Sequence, residues 1–220
     1  MIVCEYGNTY MNKVIIFDAD GVVLEREMYF SQRLARDLGI SEEKIMLFFR
    51  NEFKDCAVGK VDLKEALEKY VSLWGWNGSI DDLLKYWFEN EQKFNEGMAH
   101  EIKSLRENSY ICCLATNNEA YRTKYLADVV GFKNLFDHIF SSSEIGYLKT
   151  EDNFWEYIQR KMGLKNMEDV VVWESDGKII EKVTELGMKG FLFDGVDNFR
   201  EKMNEVFGQK EIEHEGRKLV

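Results

Sequence analysis

Five short, largely apolar runs punctuate this chain: VIIF (14–17), YICCLA (110–115), HIF (138–140), VVVW (170–173) and GFLF (190–193). A run without polar alternation marks a strand covered on both faces, as in a parallel sheet. Between and after these runs, apolar residues recur every three or four positions. The stripes are Met98, Ile102 and Leu105; Phe154, Ile158 and Met162; Ile179 or Ile180 with Val183 and Leu186; and Phe199, Met203 and Val206. Each such helix has one side to lay on a sheet. Strand then helix, repeated, predicts an α/β fold with a doubly wound, mostly parallel Rossmann-like sheet.

Residues 27–92 break the alternation with helices only. Phe30, Leu34 and Leu38 share one face, Leu63, Leu67, Tyr70, Val71 and Trp74 form a second stripe, and Ile80, Leu83, Leu84, Trp87 and Phe88 a third. Gly39, Gly59, Gly75 and Gly78 mark the joints, and Ser79 with Asp82 has the spacing of a helix cap. A helical block opening directly after the first strand reads as a cap inserted into a sheet domain of 13–26 and 93–208. Residues 1–12 read as an N-terminal extension and 209–220 as a solvated, charged tail. The chain has no proline, so glycine and asparagine supply its punctuation.

The net charge of -11 argues against a nucleic-acid partner, which needs clustered Arg and Lys, while leaving room for a small phosphorylated substrate. No apolar run approaches the length that crosses a bilayer, and none near the start reads as a secretion signal, so no membrane partner and a cytoplasmic location are expected. Cys4, Cys56, Cys112 and Cys113 form no C-x-x-C pair and read as reduced, structural thiols. His100, His138 and His214 have no metal-ligand spacing with them. There is no G-x-G-x-x-G, no phosphate-loop motif and no G-x-S-x-G.

The first strand runs into FDADG, which places Asp18 and Asp20 at its carboxyl edge, where open parallel sheets hold their sites. The other strand ends carry Thr116-Asn117-Asn118, then Lys149 after a loop, then Glu174-Ser175-Asp176. A parallel sheet opens its strand ends on one edge. Acids, a hydroxyl with an amide, and a lysine gathered there suit a phosphoryl group and a hard divalent cation such as Mg2+.

These segments resemble the haloacid dehalogenase superfamily, in its phosphatase branch with a small helical cap, over about residues 13–208. FDADGVV is similar to the first motif, LATNN (114–118) to the second, Lys149 to the third, and WESDGKIIEKVTELGMKGFLF (173–193) to the fourth with its following helix and strand. The separations from Asp18 to Thr116, Lys149 and Glu174 are successively 98, 33 and 25 residues. The resemblance implies that Asp18 is the nucleophile, forming an aspartyl-phosphate, and that Asp20 is the acid and base for leaving group and water. It implies Thr116, Asn117 and Lys149 as phosphoryl-binding residues and Asp18, Asp20, Glu174 and Asp176 as the Mg2+ site. Arg26 and Arg50, on and near the opening arm of the cap, are candidate contacts to a small phosphorylated metabolite.

Two departures stand out. Ser175 occupies a slot where relatives usually carry a metal-binding Asp, to be compensated by Asp176 or by Glu174 alone. Thr150 follows Lys149 where proline is usual, which predicts a looser lysine loop. The reading is a phosphoric monoester hydrolase, monomeric or weakly dimeric. Its alternatives are a sugar-phosphate mutase using the same intermediate, or a weakened member that binds a phosphoryl ligand or a protein.

Overall fold

The computed structural model describes residues 14–25 and 27–208. The expected extension at 1–12, the tail at 209–220 and Arg26 lie outside them. Strand β1 (Val14–Phe17) is followed by helices α1 (Phe30–Leu38), α2 (Glu42–Asn51), α3 (Phe53–Ala57), α4 (Leu63–Trp74) and α5 (Ile80–Glu89). The chain continues through α6 (Glu96–Glu107), β2 (Ile111–Thr116), α7 (Ala120–Asp128), α8 (Phe132–Leu135), β3 (His138–Ser141) and α9 (Ser142–Ile145). It ends with α10 (Asp152–Met162), β4 (Val170–Glu174), α11 (Gly177–Glu185), β5 (Lys189–Leu192) and α12 (Val196–Phe207).

All pairings in the sheet are parallel, in the order β3-β2-β1-β4-β5. The fold is therefore the α/β arrangement expected from the apolar runs. Successive strand side chains point to opposite faces, and both faces are covered. Ile15, Phe17, Cys112, Leu114, Val171 and Trp173 pack towards α6 and α12. Val14, Ile16, Cys113, Ala115, Val170 and Val172 pack towards α10 and α11 on the other side. This division explains why the strands read as continuous apolar runs, and it puts the adjacent Cys112 and Cys113 in separate cores as buried free thiols.

Helices α1 to α5 bury a core of their own, with Phe30, Phe48, Trp74 and Trp87 at its centre. Phe30 stacks on Trp87 at 4.4 Å between ring centroids, so the aromatic stripe of this block is packing. The two chain passages joining this block to the sheet are tied together. Glu25 N–H donates to Lys93 O at 2.8 Å, and Asn95 N–H donates to Val23 O at 2.9 Å. The block also leans on the sheet unit through α9, where Ser142 Oγ donates to Ala57 O at 2.5 Å.

Helix α7 escaped the periodicity reading for a physical reason. Its buried side carries Arg122 and Thr123 beside Leu126, so it has no apolar stripe to read. The short α8 and α9 likewise span too few residues for a 3.6-residue period to show.

Gly59 marks the closest approach between the helical block and α9. Its φ is +69°, and a Cβ there would lie 2.4 Å from Ser143 O. Gly59→Ala is expected to cost about 2 kcal/mol or more, combining left-handed strain with overpacking, a fall of roughly 4–8 °C in Tm. Gly39→Ala, at φ +65° with nothing within 4 Å, shows the backbone cost alone. Thermal unfolding of the two variants checks this, and equal melting points would refute the close approach.

Candidate active site

Asp18 continues the ladder beyond β1, its N–H donating to Trp173 O at 2.9 Å. The chain then turns sharply, as the N–H groups of Val23 and Leu24 both return to Ala19 O and Gly21 N–H donates to Leu24 O. Gly21 has φ +94°, and a Cβ there would come within 3.1 Å of the Ser175 side chain. Glycine is thus required twice over, by the turn and by the neighbouring β4 loop. The turn sets Asp18 deep in the cleft and Asp20 nearer its mouth, 7% exposed for Asp18 and part-exposed for Asp20.

Lys149 lies beneath Asp18 and is fully buried. Its ammonium donates to Asp18 Oδ1 at 2.6 Å, to Ala115 O at 3.1 Å and to Glu174 Oε1. Three donors meet three acceptors, so the buried charge is satisfied by hydrogen bonds as well as by ion pairing. The backbone of Lys149 is held too: its N–H donates to Asn117 Oδ1 at 2.9 Å, and its carbonyl accepts from Trp155 Nε1 at 2.6 Å. The loop with Thr150 in place of proline therefore does not leave the lysine loose, because side-chain and backbone bonds do the fixing.

Two carboxylates share this one cation. Burial pushes Glu174 up to about 7, with Lys149 opposing the shift and Asp18 adding to it. Burial also raises Asp18, against the pull of Lys149. Burial acts to lower Lys149, but Asp18 and Glu174 outweigh it and hold the ammonium charged.

Thr116 ends β2 with its Oγ1 accepting from Asn118 Nδ2 at 2.6 Å. That leaves the hydroxyl proton of Thr116 to donate into the cleft. Asn118 Nδ2 also reaches Asp20 Oδ2 at 3.3 Å, while Arg122 Nη2 approaches Asp20 Oδ1 at 3.4 Å. Arg122 is itself buried and donates to Phe88 O and Glu91 O, at the end of α5. Asn118 and Arg122 were not among the residues expected at the site. Asn118 is the last residue of the LATNN segment at the strand end, where the sequence gives it no role, whereas Arg122 carries no signal outside the fold.

The β4 end is where the expected cation site changes. Glu174 faces Lys149 with one oxygen and accepts from Ser175 N–H at 2.9 Å and Asp176 N–H at 3.3 Å with the other. Asp176 is exposed and caps α11, accepting from Lys178 N–H at 2.9 Å. Ser175 Oγ stands between Asp18 Oδ2, at 3.2 Å, and the carbonyl of Asp20, at 3.0 Å. Among the described residues, no three or more His, Cys, Asp or Glu side chains converge to hold a metal. Asp18 Oδ2, the Asp20 carbonyl and the Ser175 hydroxyl are hard oxygens around one point, chemically suited to Mg2+ retaining several waters. They bring one carboxylate, already shared with an ammonium.

A polar cavity of about 360 Å³ opens over this cluster, walled by Asp18, Asp20, Thr116, Lys149, Ser175 and Tyr29, with Asn117, Glu174 and Asp176 also on its lining. Tyr29 also walls a second cavity of about 430 Å³ within the helical block, against Phe30, Met46, Phe49 and Trp87 with Glu42 and Glu91. Arg50, expected as a substrate contact, lines neither and is exposed. Its guanidinium is instead paired with Glu43, seven residues earlier and about two turns away on the same face of α2.

The protein is thus of the capped α/β class, a parallel sheet with a helical insertion after its first strand and a carboxylate-lysine cluster at its carboxyl edge. The chain belongs to the haloacid dehalogenase-like hydrolase family, whose model matches residues 12–176. Comparison with curated proteins gives no match. Among solved structures, a HAD family enzyme (bt-2542) from Bacteroides thetaiotaomicron, in complex with magnesium and inorganic phosphate, superposes with a TM-score of 0.70. It shares 15% identity, over 83% of this chain and 94% of that one. A predicted HAD-like family hydrolase from Porphyromonas gingivalis gives a TM-score of 0.72 at 20% identity, over 91% and 100%. A HAD phosphatase from Thermococcus onnurineus gives 0.62 at 17%, over 91% and 100%. At these identities the likeness is one of fold. No helix among the described residues is long and apolar enough to cross a membrane.

The buried acids make stability depend on pH in a definite sense. Glu174 is pushed up to about 7, as is Glu119, which burial shifts although it caps α7. Between the ordinary value of 4.5 and about 7, the folded chain binds more protons than the unfolded one, so stability falls as pH rises through that window. Urea unfolding from about pH 4.5 to 7.5 is expected to show this fall, and Glu174→Gln or Glu119→Gln each to flatten it. An unchanged slope in both variants would show that these acids are ionised normally.

Proposed function

We propose that the protein hydrolyses phosphoric monoesters of small metabolites through an aspartyl-phosphate on Asp18. The observation that carries this reading is the Asp18 carboxylate, held by a buried ammonium at 2.6 Å and opening into a polar cavity that also contains Asp20 and Thr116. An oxygen of Asp18 attacks phosphorus, and the bond from phosphorus to the leaving oxygen breaks. That oxygen takes a proton from Asp20, and the alcohol departs. Asp20 then removes a proton from water, whose oxygen attacks phosphorus. The bond to Asp18 breaks, freeing inorganic phosphate and the carboxylate.

Lys149 acts through its charge. All three of its protons are engaged by protein acceptors, so it steadies the cluster around the nucleophile while Thr116 offers a free O–H to a phosphoryl oxygen. Asn118 and Arg122 hold both oxygens of Asp20 at the cleft mouth. Magnesium, held by Asp18, the Asp20 carbonyl and Ser175, would supply positive charge against the phosphoryl oxygens. The magnesium in complexes of a similar fold supports that choice of cation.

The adjoining cavity in the helical block supports a leaving group that is apolar or neutral. Its lining has no Arg or Lys and two acids, Glu42 and Glu91, which disfavour a second phosphate. Tyr29 is the wall common to both cavities.

Phosphate release from a panel of monoesters and bisphosphates, with Mg2+ or a chelator, tests the reading. Turnover is expected to favour monoesters with apolar or neutral leaving groups and to vanish in Asp18→Asn; activity that survives this substitution would rule out the nucleophile. Asp20→Ala is expected to slow alkyl esters by about 10²–10⁴-fold. It should slow p-nitrophenyl phosphate much less, because that leaving group needs little protonation. Equal losses on both substrates would remove Asp20 from the acid role.

A further inference from the structure

Two features of the Asp18 cleft conflict if cation and phosphoryl ligand bind independently. With its acids ionised, the buried cluster has two carboxylates, Asp18 and Glu174, against one ammonium. Asp20 is offset by Arg122 at 3.4 Å, but Asp176 on the lining adds another carboxylate, so the cleft keeps two net negative charges. A phosphate dianion entering alone meets repulsion. A divalent cation entering alone is drawn by that charge but finds few free oxygen ligands. The slot after Glu174 holds a neutral hydroxyl, Glu174 itself is matched by Lys149 and by two backbone N–H groups, and Asp176 is turned to its helix cap. What remains is Asp18 Oδ2, with its companion oxygen on Lys149, and the neutral carbonyl of Asp20. Ser175 Oγ already ties these two oxygens together at 3.2 and 3.0 Å. Mg2+ gives up water reluctantly and gains little from so few charged donors.

We infer that the absence of a carboxylate at position 175 makes cation and phosphoryl ligand interdependent: each binds weakly alone, and the site fills with the two together. Ser175 supplies the Asp18–Asp20 tie in the empty cleft, and the phosphoryl oxygens supply the charge the protein withholds from the cation. This rests on the phosphoryl reading of the site. Coupling of this kind is reciprocal, so phosphate must raise Mg2+ affinity by the same factor as Mg2+ raises phosphate affinity.

Calorimetric titration of the whole protein at pH 8 tests it, with Mg2+ added alone or in excess inorganic phosphate, and phosphate added with Mg2+ or with a chelator. The expected result is at least a tenfold gain in each direction. Ser175→Asp restores a carboxylate, and Mg2+ should then bind without phosphate, the coupling shrinking accordingly. Ser175→Ala, which adds no charge, should leave Mg2+ binding dependent on phosphate, and it guards against a Ser175→Asp variant that fails to fold beside Gly21. Tight Mg2+ binding to the natural protein alone, or to Ser175→Ala alone, overturns the inference while leaving the phosphoryl reading intact. Phosphate that fails to bind even with Mg2+ present overturns both.

Discussion

The buried ammonium of Lys149 is the interaction on which the rest of the site depends. Removing such a charge from water costs several kcal/mol, and only a full set of acceptors in good geometry offsets it. The three acceptors come from three adjacent strands: Asp18 just beyond β1, Ala115 on β2 and Glu174 at the end of β4. The lysine therefore ties the carboxyl ends of the three strands to one another through Asp18, Ala115 and Glu174. Its own backbone is fixed by Asn117 and Trp155, so the cleft floor is rigid although it is built from loops.

Above that floor, the cleft mouth is linked to the helical insertion. Arg122 reaches from α7 to Asp20 and to the carbonyls of Phe88 and Glu91 at the end of α5. Any shift of that end is felt at Asp20. Tyr29, at the start of α1, forms a wall of both the polar cleft and the apolar cavity beside it. The insertion thus contributes both a wall of the cleft and a restraint on Asp20. Gly21 and Ser175 complete the arrangement from below, since the absence of a Cβ lets the two loops approach.

Much of this was legible before any coordinates. The five apolar runs fall on the five strands; β1, β2 and β4 are apolar because the sheet is covered on both faces there, while the edge strands β3 and β5 are partly exposed. Asp18, Thr116, Lys149 and Glu174 lie at strand ends or in the loops after them, so a parallel sheet brings them to one edge. Orientation was not legible. Glu174 turns its carboxylate to Lys149, Asp176 is spent on a helix cap, and Arg50 is taken by Glu43. Each is an acid or a base with several possible partners, near or far in the chain, and order along the chain does not rank them. Helix α7 shows the same limit, as its buried arginine reads as a surface residue until Asp20 and the α5 carbonyls surround it.

The sequence by itself determined the layered sheet, the helical insertion, the neutral side chain at position 175 and the order in which chemical groups reach the strand ends. These follow from local periodicity and from chain order in a parallel sheet. Tertiary structure decided which carboxylate shares its charge with Lys149, which oxygens Ser175 ties together and which cavity meets the cleft at Tyr29. Those choices depend on distances of about 3 Å between residues far apart in the chain, and burial and hydrogen bonding fix them only after the layers have packed.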